Sequence, residues 1–109
     1  MSEIEAERDG EGYLVHPETW TKEIAIELAK EEQLELNDEC WIVIDFIRDY
    51  YSKRKIVVDI RHVVKHLVNE LDYDKKQARN QIFKLFPYGY VKQACKIAGM
   101  KRPRGWSSG

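Results

Sequence analysis

The stretch "CWIVIDFIRDYY", residues 40–51, constrains this chain more than any other. Read at helical period, Trp41, Ile44, Ile47 and Tyr51 fall on one face, and Val43, Phe46 and Tyr50 on the flank beside it. An apolar stripe that wide belongs to the most buried helix of a helical body. Its ends are equally legible. Asn37 is an N-cap, Asp38 and Glu39 stand in the first turn where the helix dipole favours anions, and Lys53–Lys55 close the other end. Cys40, at its start, reads as a small core or boundary residue.

The remaining segments supply helices to pack around this one. Trp20, Ile24 and Leu28 recur at i, i+4, i+8 and predict a helix from about Thr19 to Gln33. Asp59 caps a third helix over roughly 60–72, with Ile60, Val63, Val64, Leu67, Val68 and Leu71 on its buried side. Asp74 with Gln77 makes a capping-box pattern for a fourth helix over about 75–85. Pro87 and Gly89 in "LFPYG" break that helix, and a short last one, about 90–98, ends at Gly99 as its C′ residue. Ahead of all this, "DGEGYLVHP" predicts a small β-hairpin with turn glycines Gly10 and Gly12 and a strand over Tyr13–Val15. The expected fold is all-α: a five-helix orthogonal bundle with an N-terminal β-hairpin and a flexible C-terminal arm. The 109 residues suit one domain, divided into a lead-in over 1–18, a helical body over 19–98 and an arm over 99–109. Extended at 3.3–3.6 Å per residue, such an arm spans on the order of 30 Å.

Charge is unevenly spread along a chain whose net charge is only -1. Residues 1–40 hold thirteen acids against Arg8, Lys22 and Lys30, whereas Gly89 onward carries Lys92, Lys96, Lys101, Arg102 and Arg104 and no acid. A basic end of this kind either aids solubility or meets an anionic partner. No apolar run approaches the ~18 residues of a membrane span, and the acidic start "MSEIEAERDG" does not resemble a signal peptide. A cytoplasmic location is the expectation, with no membrane partner.

Few residues invite chemistry. Cys40 and Cys95 are too far apart in sequence for a CxxC site. His62 and His66 sit at i, i+4, but no third ligand accompanies them, so no metal is expected. Neither a phosphate loop nor a dinucleotide fingerprint is present, and no cofactor is expected. Helices three and four have helix-turn-helix length, and Lys75, Lys76, Arg79 and Asn80 are the residues a nucleic-acid interface would use. The acidic N-terminal third opposes that reading. Cys95 has two readings. Lys92 and Lys96 flank it, and cationic surroundings favour the nucleophilic thiolate; alternatively it is a buried thiol beside Val91, Ala94 and Ala98. Trp106, in an otherwise polar tail, is expected to dock on this domain or on a partner.

The segment "LFPYGYVKQACKIAGMKRPRGW" resembles the terminal pattern of the TusE/DsrC family of sulfur-relay proteins, approximately LFPxGPAKQACxIAGLPKPTGC. Leu85, Phe86, Pro87, Gly89, Lys92, Gln93, Ala94, Cys95, Ile97, Ala98, Gly99, Pro103 and Gly105 match. "DGEGYL", Trp20, "WIVIDFIRDYY" and "IRHVVKH", with Arg61 and Lys65 in register, extend the likeness upstream. The resemblance implies a small helical protein with a mobile arm. In the family, a cysteine next to the arm's last residue carries sulfur as a persulfide, and members serve tRNA thiolation, sulfite reduction or sulfur oxidation. Eleven residues beyond Cys95, where that carrier cysteine would stand, this chain has Trp106, and Tyr90 and Val91 replace Pro-Ala. Indole has no nucleophile for sulfane sulfur. Three readings follow: Cys95 alone accepts sulfur, the protein is a non-catalytic paralogue that regulates by binding protein or DNA, or it is a DsrC-like subunit kept for assembly. The residues carried forward are Cys95 as sulfur acceptor, and Arg61, Lys92 and Trp106 for anion or partner binding. The partners implied are sulfur-relay proteins or dissimilatory sulfite reductase.

Overall fold

A computed structural model of the chain describes residues 6–102. Among them it contains four α-helices: α1 (Lys22–Glu31), α2 (Asp38–Arg54), α3 (Ile60–Leu71) and α4 (Lys75–Leu85). A 3-10 turn over Pro17–Thr19 precedes them and a π-helical turn over Tyr90–Cys95 follows. The mainly helical architecture is the expected one.

Capping side chains fix where each helix begins. Thr21 accepts from the amide of Ile24, Asn37 from Cys40, Asp59 from Arg61 and Asp74 from Gln77. In α4 the Gln77 side chain also reaches back to the Asp74 amide, completing the capping box. Each such cap satisfies an amide that the helix itself leaves unpaired and stabilises by about 1 kcal/mol. Lys55 and Asp72 end α2 and α3 in the left-handed conformation, at φ 59° and 58°. Helix α1 is shorter than expected because Thr21 captures the first turn, leaving Trp20 outside the helix in extended backbone.

The core gathers around α2. Val43, Ile44 and Ile47 are fully buried, and they join Ala25 and Leu28 of α1, Val63 and Leu67 of α3, Ala78 and Ile82 of α4, and Ala94 and Ile97 of the terminal turn. Truncating one of the larger of these to alanine typically costs 2–5 kcal/mol, because the close-packed surroundings only partly relax.

The N-terminal segment corrects one expectation. In place of a hairpin there is a single antiparallel bridge, Arg8 to Leu14, and no strand among the described residues. The Asp9 carboxylate takes the amides of Glu11 and Tyr13, and the Arg8 guanidinium takes the carbonyl of Gly12. Side chains thus use groups that a two-stranded ladder would need. The segment leans on the body instead: Leu14 and Tyr13 are buried, Tyr13 donates to the Val91 carbonyl at 3.1 Å, and Arg8 forms a two-pronged pair with Glu31 at 2.9 and 2.6 Å.

The beginning of the expected arm is also seated. Gly99 and Met100 are buried and Arg102 pairs with Glu11. The rest of the arm, 103–109, and with it Trp106, lies outside the described residues. No helix among the described residues is long and apolar enough to cross a membrane.

Candidate functional site

The family-like motif folds as a wide turn held by Glu32, Arg48 and Trp20. Gly89, at φ 107°, opens it in a conformation that a side chain would strain. The π-helical winding over Tyr90–Cys95 then carries Gln93, Ala94 and Cys95 inward. Gln93 is a fully buried polar residue with both ends of its amide used: the oxygen accepts from the Tyr88 amide at 2.9 Å, and the nitrogen donates to Glu32 at 3.1 Å. Lys96 reaches the other oxygen of Glu32 at 3.3 Å, in a pair whose side chains are only 14% and 20% exposed. Glu32, just past α1, therefore ties the turn to the first helix.

Arg48 holds the turn from α2. Its guanidinium donates to the carbonyls of Ala98 (2.9 Å) and Pro17 (3.1 Å), and its carbon lies 4.2 Å from the centre of the Trp20 ring. Trp20 donates to the Ile97 carbonyl at 2.8 Å. Gly99, at φ 81°, lies so close to Trp20 that an added Cβ would come within 2.3 Å of the indole. The glycine is required by its backbone angle and by its neighbour.

Cys95 stands at the centre of this arrangement with no exposed surface. Its thiol is hydrogen-bonded to the Tyr90 phenol, itself buried, and the phenol donates to the Val58 carbonyl at 2.5 Å. The phenol thus links Cys95 to the α2–α3 connector. Burial pushes the Cys95 thiol up to about 12, although the bond from Tyr90 acts in the opposite sense. Burial likewise raises Tyr13 to about 12, with Cys95 the next cause. The thiol is therefore protonated in the resting protein.

Of the two readings of Cys95, the structure has the buried thiol rather than the lysine-favoured thiolate. Lys92 is exposed, and the Lys96 ammonium is committed to Glu32. Desolvation outweighs both. Arg61 is not at the thiol either: its side chain is 78% exposed and pairs with Asp59 at 3.1 Å, and the Arg61 amide, with the guanidinium second, holds that carboxyl below the ordinary range. Cys40, the other free thiol, is buried at the start of α2 and is also raised by burial. His66 stacks on Phe46 at 4.2 Å and His62 on Tyr50 at 5.8 Å, and no cluster suited to a metal occurs among the described residues.

Sequence reasoning singled out Cys95 but not Arg48, Glu32 or Gln93, which hold the turn that carries it. Arg48 had left a signal: it is the one basic residue inside the apolar run of α2, in line with Trp41 and Ile44 at helical spacing. Glu32 left none, since it is one of thirteen acids in the first forty residues.

The comparisons with known proteins agree with this geometry. The family model described as "DsrC like protein" matches residues 1–106. The sulfurtransferase TusE homolog of Haemophilus influenzae is 41% identical over 100 residues, covering 92% of this chain and 91% of that one. Sulfurtransferase TusE of Escherichia coli is 38% identical over 99 residues, covering 91% and 90%. Among solved structures, the oxidized gamma-subunit of dissimilatory sulfite reductase (DsrC) from Archaeoglobus fulgidus superposes with a TM-score of 0.82 at 36% identity, over 93% of this chain and 91% of that one. The DsrC of Allochromatium vinosum gives 0.77 at 37% identity, over 91% and 88%. A helical body of this form, closed around a cysteine in a KQAC motif and similar to these proteins over nearly its whole length, belongs to the DsrC-like family.

Proposed function

We propose that this protein works in sulfur relay, and that Cys95 is its sulfur-bearing atom. The observation that carries the reading is the burial of the Cys95 thiol within the family motif, hydrogen-bonded to Tyr90 and ringed by contacts from Trp20, Glu32 and Arg48. The relatives named as sulfurtransferases and as a sulfite reductase subunit support sulfur transfer over the rival regulator. Trp106 occupies the position of the family's carrier cysteine, so among residues 1–109 Cys95 and Cys40 are the thiols available.

The resting thiol is latent. It becomes a nucleophile only when the turn opens, the Tyr90 bond breaks and water or a partner's polar groups replace the apolar surroundings. In the transfer step, the Cys95 thiolate attacks the outer sulfur of a donor persulfide. A sulfur–sulfur bond forms on Cys95, the donor's sulfur–sulfur bond breaks, and the donor leaves as a thiolate that takes up the proton lost by Cys95. Sulfur changes hands at constant oxidation level, and no external oxidant enters. A π-helical winding, rare in proteins and frequent at functional sites, suits a segment that must open locally.

The partners of such a protein are other sulfur-handling proteins of a relay or a sulfite reductase, and the site of action is cytoplasmic. Lys92, exposed beside the turn, meets the partner rather than the resting thiol.

Radiolabelled sulfane sulfur on a persulfide-bearing sulfurtransferase gives the test. Label should pass to this protein and survive non-reducing electrophoresis, and it should be lost in Cys95→Ser. Label that fails to transfer to the wild-type chain contradicts the relay reading. Transfer that persists in Cys95→Ser contradicts the assignment of the site.

A further inference from the structure

Helices α3 and α4 enclose a groove of about 680 Å³ lined by Arg61, His62, Lys65, Lys75 and Arg79, with Val64 and Val68 contributing apolar surface and no carboxylate among its lining residues. Arg61 and Lys65 are one turn apart on α3, and Lys75 and Arg79 are one turn apart on α4. Like charges at i, i+4 weaken each helix by a few tenths of a kcal/mol. Yet Lys65, Lys75 and Arg79 have no carboxylate partner among the described residues, and Arg61 keeps most of its guanidinium exposed beside Asp59. The arrangement is costly to the free protein and favourable to an anionic occupant.

We infer that this groove is a docking surface for an acidic segment of a protein partner, with a central aliphatic side chain seated on Val68, the half-buried valine of its floor. The spacing fits. Residues one helical turn apart are separated by about 6 Å along the axis, and acids at i, i+4 of a helix or i, i+2 of a strand recur at nearly the same interval. The composition fits a peptide better than a nucleic acid. No aromatic ring other than His62 lines the groove, so it offers no platform for stacked bases. The nearby Phe46 and Tyr50 rings are stacked on His66 and His62. The adjoining groove, which shares His62 and Lys65, adds Lys53 and Arg54 but also the carboxylate of Asp49, in a chain with a net charge of -1. Docking here is separate from chemistry at Cys95 and does not depend on whether that thiol loads sulfur.

Fluorescence anisotropy on the full chain tests this with three labelled probes: a short Glu/Leu peptide, its twin with every Leu replaced by Ser, and a single-stranded oligonucleotide of equal charge. The Glu/Leu peptide should bind in a salt-sensitive manner and more tightly than either other probe. Lys65→Glu with Arg79→Glu should weaken it by about tenfold or more. Lys84→Glu with Lys101→Glu, an equal change of net charge away from the groove, should change it less than threefold. All four positions are exposed, so the variants fold. Binding that ignores the groove substitutions, an oligonucleotide that binds more tightly than the peptide, or no peptide binding at low salt overturns the proposal.

Discussion

The Tyr90 phenol and the Cys95 thiol share a buried hydrogen bond, and the phenol donates to the carbonyl of Val58, 2.5 Å away. Five residues apart on a π-helical turn, the two side chains connect the family motif to the α2–α3 connector. Removing the phenolic oxygen orphans two buried groups at once, the thiol and the Val58 carbonyl. Tyr90→Phe should therefore lower stability by about 1–3 kcal/mol. It should also speed alkylation of Cys95 by iodoacetamide under native conditions. Urea denaturation and a mass-resolved alkylation time course check the pair of effects. An unchanged urea midpoint would show that the bond contributes nothing.

The raised thiol predicts how stability depends on pH. A cysteine near 9 when unfolded and near 12 when folded binds its proton more tightly in the native state. Its contribution is fully present below about pH 9 and is lost as pH climbs from there toward 12, at up to about 1.4 kcal/mol per pH unit. Cys40, also raised by burial, adds in the same sense. Urea midpoints between pH 8 and 10.5 should fall steeply in the wild type and less steeply in Cys95→Ala. Equal slopes would mean that Cys95 does not titrate on unfolding.

Arg48 is expected to matter more than its partly buried position on α2 suggests. Arg48→Met removes the donors to Ala98 and Pro17 and the charge stacked on Trp20, and should cost about 2–4 kcal/mol. Arg48→Lys should recover little, because an ammonium lacks the fork that spans two carbonyls. Thermal melts of the three proteins decide this. A lysine variant as stable as wild type would contradict the bridging role.

Gly99→Ala tests the seat of the terminal turn. A Cβ there would meet the Trp20 indole at 2.3 Å on a backbone already at φ 81°. The left-handed angle alone costs about 1 kcal/mol for a residue with a side chain, and the displaced indole loses its bond to Ile97. The expected result is a lower melting temperature with faster Cys95 alkylation. Alanine tolerated without loss in either measurement would refute the close contact.

Much of the body is legible from residues alone, because caps and apolar periodicity are local. Asn37, Asp59 and the Asp74–Gln77 pair begin helices where the sequence places them, and Gly99 adopts the left-handed angle expected of a C′ glycine. The N-terminal segment failed for a local reason too: Asp9 and Arg8 divert groups from strand pairing, and turn glycines alone do not reveal that. The environment of Cys95 was less legible. Lys92 and Lys96 neighbour it in sequence, but the thiol's burial and its bond to Tyr90 dominate, and the Lys96 ammonium is committed to Glu32, sixty-four residues away. Contacts of that range carry no sequence period.

Intact-protein mass spectrometry after incubation with a persulfide donor tests the central claim most directly, with wild type, Cys95→Ser and Cys40→Ser compared side by side. The account predicts a gain of one sulfur mass in the wild type and in Cys40→Ser, slow in the closed fold, and no gain in Cys95→Ser. A gain that survives in Cys95→Ser, or none in the wild type beside a control persulfide acceptor that loads, would contradict it.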